Sequence, residues 1–140
     1  MNAKIDDVMI AHAIVATPDV TVGEIRRRML GEEIHALPVV NPEGEPIGIV
    51  TSTDLVAEPP ADTPVAHIMS TGVFTVPRYA DVHIAARIMR NHGLHHVVVT
   101  HEKQVVGIVS SFDLIKLVED HRFVMKNGPT ESRRRAAQRS

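Results

Sequence analysis

The residues of this chain that could do chemistry come in matched pairs. Thr51-Ser-Thr-Asp54 returns as Ser110-Ser-Phe-Asp113, a hydroxyl followed three residues later by a carboxylate, each time behind a run rich in Val and Ile. A hydroxyl and an acid at that spacing suit the first turn of a helix, where they meet backbone N–H groups that lack an intrahelical partner. The nine histidines are the other candidates, and His92, His95, His96 and His101 cluster along the chain. His95 and His96 are consecutive in a run that reads as a strand, so they are expected on opposite faces and unable to chelate one ion by themselves. No His-x-x-x-His pair with an acidic partner reads as helical, and no metal site is expected. With no Cys there is no thiolate zinc site, disulfide framework or Cys nucleophile. A Gly-rich phosphate loop and a nucleophile elbow are missing, and the two Asp belong to separate copies, so they do not form an acid–base pair. The expectation is a protein that is not an enzyme.

The composition narrows the remaining classes. Hydrophobic residues make up 44% and charged residues 23% of 140, inside the globular range. Three Phe, one Tyr and no Trp leave an aliphatic core and too few rings to build a base-stacking surface, so nucleic acid is not an expected partner. No apolar run approaches the roughly 18–20 residues of a membrane span, and the first seven residues lack a signal peptide's apolar stretch. A cytoplasmic protein with no membrane contact is expected. The net charge of −2 is uneven: residues 126–140 hold five basic side chains against Glu131, leaving the rest of the chain acidic. That tail, with Arg133-Arg134-Arg135, reads as a solvated, disordered end.

The elements that would position these residues are themselves repeated. Gly48-Ile-Val-Thr-Ser-Thr-Asp-Leu55 aligns with Gly107-Ile-Val-Ser-Ser-Phe-Asp-Leu114 at an offset of 59, and Ile34–Val40 aligns with Leu94–Thr100 at 60. The one-residue difference falls in the turn between them, where a deletion costs least. Each copy reads as a short strand (14–16; 73–76) ending at Pro, then a helix. Thr21 with Glu24 has capping-box spacing, and Val22, Ile25, Met29 and Leu30 form its stripe. In the second copy Asp81 can cap, and Val82, Ala85, Ala86, Ile88 and Met89 form the stripe. A hairpin follows, of 37–40 with 47–51 and of 97–100 with 105–110. A closing helix comes last; the second is expected to run from Ser111 to about Lys126 with Leu114, Ile115, Val118 and Val124 inward. The first is cut short by Pro59-Pro60, which marks a linker at 59–64 between a first unit (1–58) and a second (65–125), with 126–140 as the tail.

The doubled pattern resembles a CBS-domain pair over roughly residues 8–120, carried by Pro38-Val39-Val40, by the block ending at Asp54, and by their partners up to Asp113. The resemblance implies an α+β (α/β) fold of two pseudo-twofold β-α-β-β-α repeats, each a small three-stranded sheet packed on two helices. It also implies two clefts between the repeats that take an adenosine-containing regulatory ligand: AMP, ADP or ATP first, S-adenosylmethionine or NAD next, with no required cofactor. On the family pattern the ligand would meet Thr75, His95, His96, Val97, Ser110 and Asp113 in one cleft, and Ala16, His35, Ala36, Leu37, Pro38, Thr51 and Asp54 in the other. The carboxylate would accept from ribose hydroxyls and the Ser or Thr would meet phosphate. Histidines stand where nucleotide binders often have Arg or Lys, which implies modest affinity that rises as pH falls toward about 6. The second cleft is the more polar, so the Asp113 site is expected to bind more tightly than the Asp54 site. The resemblance further implies a stand-alone sensor module, a homodimer and an unidentified regulated protein. The alternative is an interaction module with unoccupied clefts.

Overall fold

The structure is a computed structural model that describes residues 3–120. In the first repeat, helix α2 (Val22–Glu32) starts at Thr21, whose hydroxyl accepts the Glu24 N–H at 3.3 Å. The Glu24 carboxylate does not return the favour. It holds Arg27 Nη2 at 2.7 Å and Arg28 Nε at 3.0 Å, so only half of the capping box forms. Val22, Ile25 and Met29 are buried, whereas Leu30, expected on the same stripe, is 83% exposed. It lies about 100° around the helix from Met29, too far to share a narrow inner face.

The second repeat repeats the arrangement in helix α3 (Val82–His92), which buries Ala85 and Met89, with Val82 and Ile88 packed alongside and Ala86 exposed. Asp81 takes the N-cap position and its carboxylate holds Lys4 Nζ at 2.5 Å. Both helices end on a left-handed residue, Glu33 (φ 56°) and Gly93 (φ 66°).

The expected hairpins form. Strand β2 (Ala36–Val40) pairs antiparallel with β3 (Pro46–Thr51), and β5 (His96–His101) with β6 (Gln104–Ser110). In the second repeat β4 (Thr75–Pro77) lies parallel to β5; in the first its counterpart is a single parallel bridge, Ala16 to Val39. The closing elements differ more. After Thr51 the chain makes one 3₁₀ turn, Ser52–Leu55, while after Ser110 it makes helix α4 (Ser111–Asp120). Leu114 packs on the core, but Ile115 and Val118, expected inward, are 62% and 61% exposed. The continuation expected to Lys126, with Val124, and the basic tail lie outside the described residues.

The repeats also exchange their leading segments. A short helix, α1 (Ile5–Val8), and strand β1 (Ile10–Ala11) open the first repeat, yet β1 pairs with β6 of the second, Ile10 opposite Ile108. Ile5 is fully buried among Val76, Val97, Val99 and Val109. In return Val65 is buried in the first core with Leu37, Val39 and Val50, and Ser70 bridges Ile49. Glycine makes room for both crossings: a Cβ at Gly107 would meet Met9 Sδ and the Ile10 carbonyl, and one at Gly48 would meet the Met69 side chain. The stretch 59–64 lies along α2, with Gly23 N–H donating to the Ala61 carbonyl at 2.9 Å and Arg26 to that of Pro59 at 2.8 Å. No helix among the described residues is long and apolar enough to cross a membrane.

Candidate ligand cleft

The two hydroxyl–Asp turns start from the same local chemistry. Asp54 Oδ2 accepts the Thr51 backbone N–H at 2.8 Å, and Asp113 Oδ2 accepts that of Ser110 at 2.8 Å. A further backbone bond ties each turn to the start of its hairpin: Ser52 N–H to the His35 carbonyl and Ser111 N–H to that of His95, both at 2.9 Å. The remaining donors differ. The Thr51 hydroxyl donates back to Asp54 at 3.3 Å, closing the first turn on itself. The Ser110 hydroxyl, like that of Thr51, accepts the backbone N–H three residues on, from Asp113 at 3.1 Å, but makes no bond to its own carboxylate and keeps its proton to give. Asp113 is 6% exposed, the one charged residue buried among those described; its Oδ1 lies 3.9 Å from Lys116 Nζ. A carboxylate has about four acceptor sites, so Asp113 retains capacity after serving its cap.

Both turns open onto one continuous cleft of about 1240 Å³. Two separate clefts were the expectation, and the lining explains the difference. Nearly every lining residue has its counterpart 59 or 60 positions away also in the lining: His12 with Gly72, Ile14 with Phe74, Ile34 with Leu94, His35 with His95, Ile49 with Ile108, Ser52 with Ser111. The cleft therefore lies across the pseudo-twofold axis, and the two half-sites merge there. Only Glu32 and Asp113 line it without their counterparts, His92 and Asp54. Its volume exceeds the roughly 300–1,000 Å³ of an ordinary small-molecule site, enough for two nucleoside-sized ligands or one long one.

Of the residues singled out in the sequence, His35, Ala36, Thr51, His95, His96, Ser110 and Asp113 come together in this lining. The others sit elsewhere. Leu37 and Val97 are fully buried in the two cores, Pro38 is buried within β2, and Ala16 is buried at its bridge to Val39. Thr75 is exposed on β4 opposite Val98, and Asp54 is half-buried in its own cap. Sequence reasoning passed over Ile14, Phe74, Ile34, Leu94, His12 and the pair Glu32 and Glu33. The offset of 60 was the signal that would have found most of them, since a cleft on the pseudo-twofold axis takes equivalent residues from both copies.

His95 and His96 both line the cleft, contrary to the expectation from strand alternation. His95 stands in the bend before β5 begins, so alternation does not separate the two. Burial holds the His96 imidazole below its ordinary pKa; the neighbouring His95 and His35 push the same way and Asp113 opposes them. Imidazoles from both repeats thus share one electrostatic environment. Among the described residues no group of three His, Cys, Asp or Glu side chains is placed to hold a metal ion. The Phe74 ring stacks on His92, with centroids 4.2 Å apart, and also lines the cleft.

The CBS domain family matches residues 5–60 and again residues 65–120. The chain belongs to that family. It is a CBS-domain pair, and its fold is the mixed α/β arrangement of such pairs. It is similar to an uncharacterized protein of Methanocaldococcus jannaschii, 29% identical over 137 residues that cover 85% of this chain but 32% of that protein. It also resembles an uncharacterized 17.7 kDa protein of Acidianus ambivalens, 27% identical over 94% of this chain and 82% of the relative. This CBS pair thus spans about a third of the first relative and most of the second. Among solved structures it resembles the CBS domain pair of protein MJ0100 in complex with 5′-methylthioadenosine and S-adenosyl-L-methionine. That likeness has a TM-score of 0.79 and 26% identity, over 86% of this chain and 99% of the other.

Proposed function

We propose that this CBS pair is a non-catalytic regulatory module that binds an adenosine-containing ligand in the cleft between its repeats. The observation that carries the reading is Asp113, a buried carboxylate in the lining of a large cleft, with acceptor capacity left after capping its own helix. Vicinal ribose hydroxyls are donors of the right kind for it, and the Ser110 hydroxyl next to it has a proton to give. The complex of the MJ0100 pair with two adenosyl compounds supports the class of ligand. The first half-site lacks an equivalent group, because Asp54 lies outside the cleft lining and the Thr51 hydroxyl gives its proton to Asp54. The ranking of Asp113 over Asp54 follows.

A bound ligand acts only through different affinities for two arrangements of the repeats. Exposed apolar side chains beside the two turns, Val56 after the first and Phe112, Ile115 and Val118 on α4, form the surface through which a homodimer or a regulated partner would sense that difference.

Calorimetric titration of AMP, S-adenosylmethionine and 5′-methylthioadenosine against Asp113→Asn and Asp54→Asn tests the assignment. Asn keeps an acceptor for the cap but loses charge and one ribose acceptor. Asp113→Asn is expected to weaken binding about tenfold or more, from the ~1.5–3 kcal/mol of a hydrogen bond to a charged group. Asp54→Asn should change it less than about twofold on the same scale. Equal losses, or no loss at Asp113, overturn the assignment.

A further inference from the structure

The two halves of the cleft carry different charges. Its lining holds three carboxylates, Glu32, Glu33 and Asp113, and no Lys or Arg. The residue types that normally neutralise phosphate are therefore missing from the wall itself. The acid is concentrated on the first-repeat side, where Glu32 and Glu33 end α2. That helix has no basic residue in its last turn, so the negative end of its macrodipole adds to their field. Neither carboxylate has a hydrogen bond or ion pair among the described residues, so both remain available to a ligand. The equivalent end of α3 carries Arg90 and His92, neither of which lines the cleft. The second-repeat side is the one with Asp113, His96 and the Phe74 ring.

This asymmetry suits one kind of molecule. Adenosine on the second-repeat side would place whatever its 5′ position carries toward the acidic first-repeat side. A polyphosphate there meets two carboxylates and a helix C-terminus; a cation meets the same groups favourably. Resting on the adenosine reading above, we infer that the cleft selects adenosyl compounds with a cationic 5′ substituent, such as a sulfonium or ammonium, and discriminates against nucleoside di- and triphosphates. Glu32 and Glu33 are the specificity-determining residues.

Titration calorimetry on the full chain at pH 7.5 and low salt, with S-adenosylmethionine, 5′-methylthioadenosine and ATP, tests this directly. The expected order is S-adenosylmethionine tightest, the neutral thioether next and ATP weakest, with the first and last about tenfold or more apart, since like charges face each other in the ATP complex. In Glu32→Gln/Glu33→Gln the advantage of S-adenosylmethionine over the thioether should shrink about three- to tenfold, the sum of two solvent-exposed charge contacts. Binding of the neutral thioether should stay unchanged, which also shows that the variant is folded. ATP binding as tightly as S-adenosylmethionine, or an unchanged preference in the double variant, overturns the charge argument while leaving an adenosine site. Binding of none of the three compounds overturns that site as well, and the proposed function with it.

Discussion

The two repeats begin their closing elements with the same chemistry and finish them differently. Thr51 with Asp54 and Ser110 with Asp113 make the same backbone hydrogen bond at the same length. One then supports a single 3₁₀ turn and the other a helix of ten residues. A cap satisfies the first N–H groups of a helix, but propagation depends on the residues that follow. Glu58-Pro59-Pro60 stops the first chain, because proline lacks the N–H that each further turn requires. Ile115-Lys116-Leu117-Val118 lets the second continue. The consequence reaches the site: the carboxylate on the longer helix is the buried one that faces the cleft, and its counterpart remains in its own turn.

The largest expected effects test how far the repeats depend on each other. Ile5→Ala empties a fully buried position and should cost about 2–5 kcal/mol of unfolding free energy by chemical denaturation. Hydrogen exchange should accelerate first in β5 and β6, the strands of the other repeat. Val65→Ala should cost less, since fewer methyl groups are lost, and should loosen β2 and β3 instead. Faster exchange confined to the mutated residue's own repeat would show that the exchanged segments do not join the cores.

The glycines sharpen the comparison at a smaller scale. Gly107→Ala forces a Cβ to within 2.7 Å of the Ile10 carbonyl, a backbone atom that cannot swing aside. It should cost about 1–3 kcal/mol, typical of overpacking. At Gly48 the obstacle is the flexible Met69 side chain, so Gly48→Ala should cost less in the same denaturation experiment. Equal costs would show that the Ile10 backbone yields as readily as a methionine.

The smallest effect concerns the imidazoles. His96 is held below its ordinary value of about 6.5 in the folded state, so between the two values the unfolded chain binds more protons. Stability present above about pH 6.5 should therefore be lost as pH falls through the folded value. His96→Gln should flatten that part of the stability–pH curve, and an unchanged slope would remove His96 as its source. The same shift moves any gain in anion binding from His96 protonation below the pH expected from the free imidazole alone.

Much of this fold could be read directly because the relevant physics is local. The offset of 59–60, the turn chemistry between Val40 and Pro46, and the Thr21 cap each depend on residues a few positions apart, and all correspond to structure. Helix faces were less legible. Leu30, Ile115 and Val118 fit an apolar period yet lie outside, because periodicity counts apolar residues and not the width of the surface available to cover them. The candidate site was legible where it coincided with the repeat's own motif, at Ser110, Asp113, His95 and His35. It was illegible at Phe74, Ile14 and Glu32, whose types announce no chemistry until they line a cleft.

The sequence by itself determined a duplicated unit, its hairpins, its caps and histidines in place of Arg or Lys just before each hairpin, at His35 and at His95-His96, since each follows from residue type and short spacing. Tertiary structure alone decided that the leading segments cross over, that two half-sites merge into one cleft, and that Asp113 rather than Asp54 faces it. Those outcomes depend on how two nearly equal surfaces pack across an axis, and no single stretch of chain carries that information.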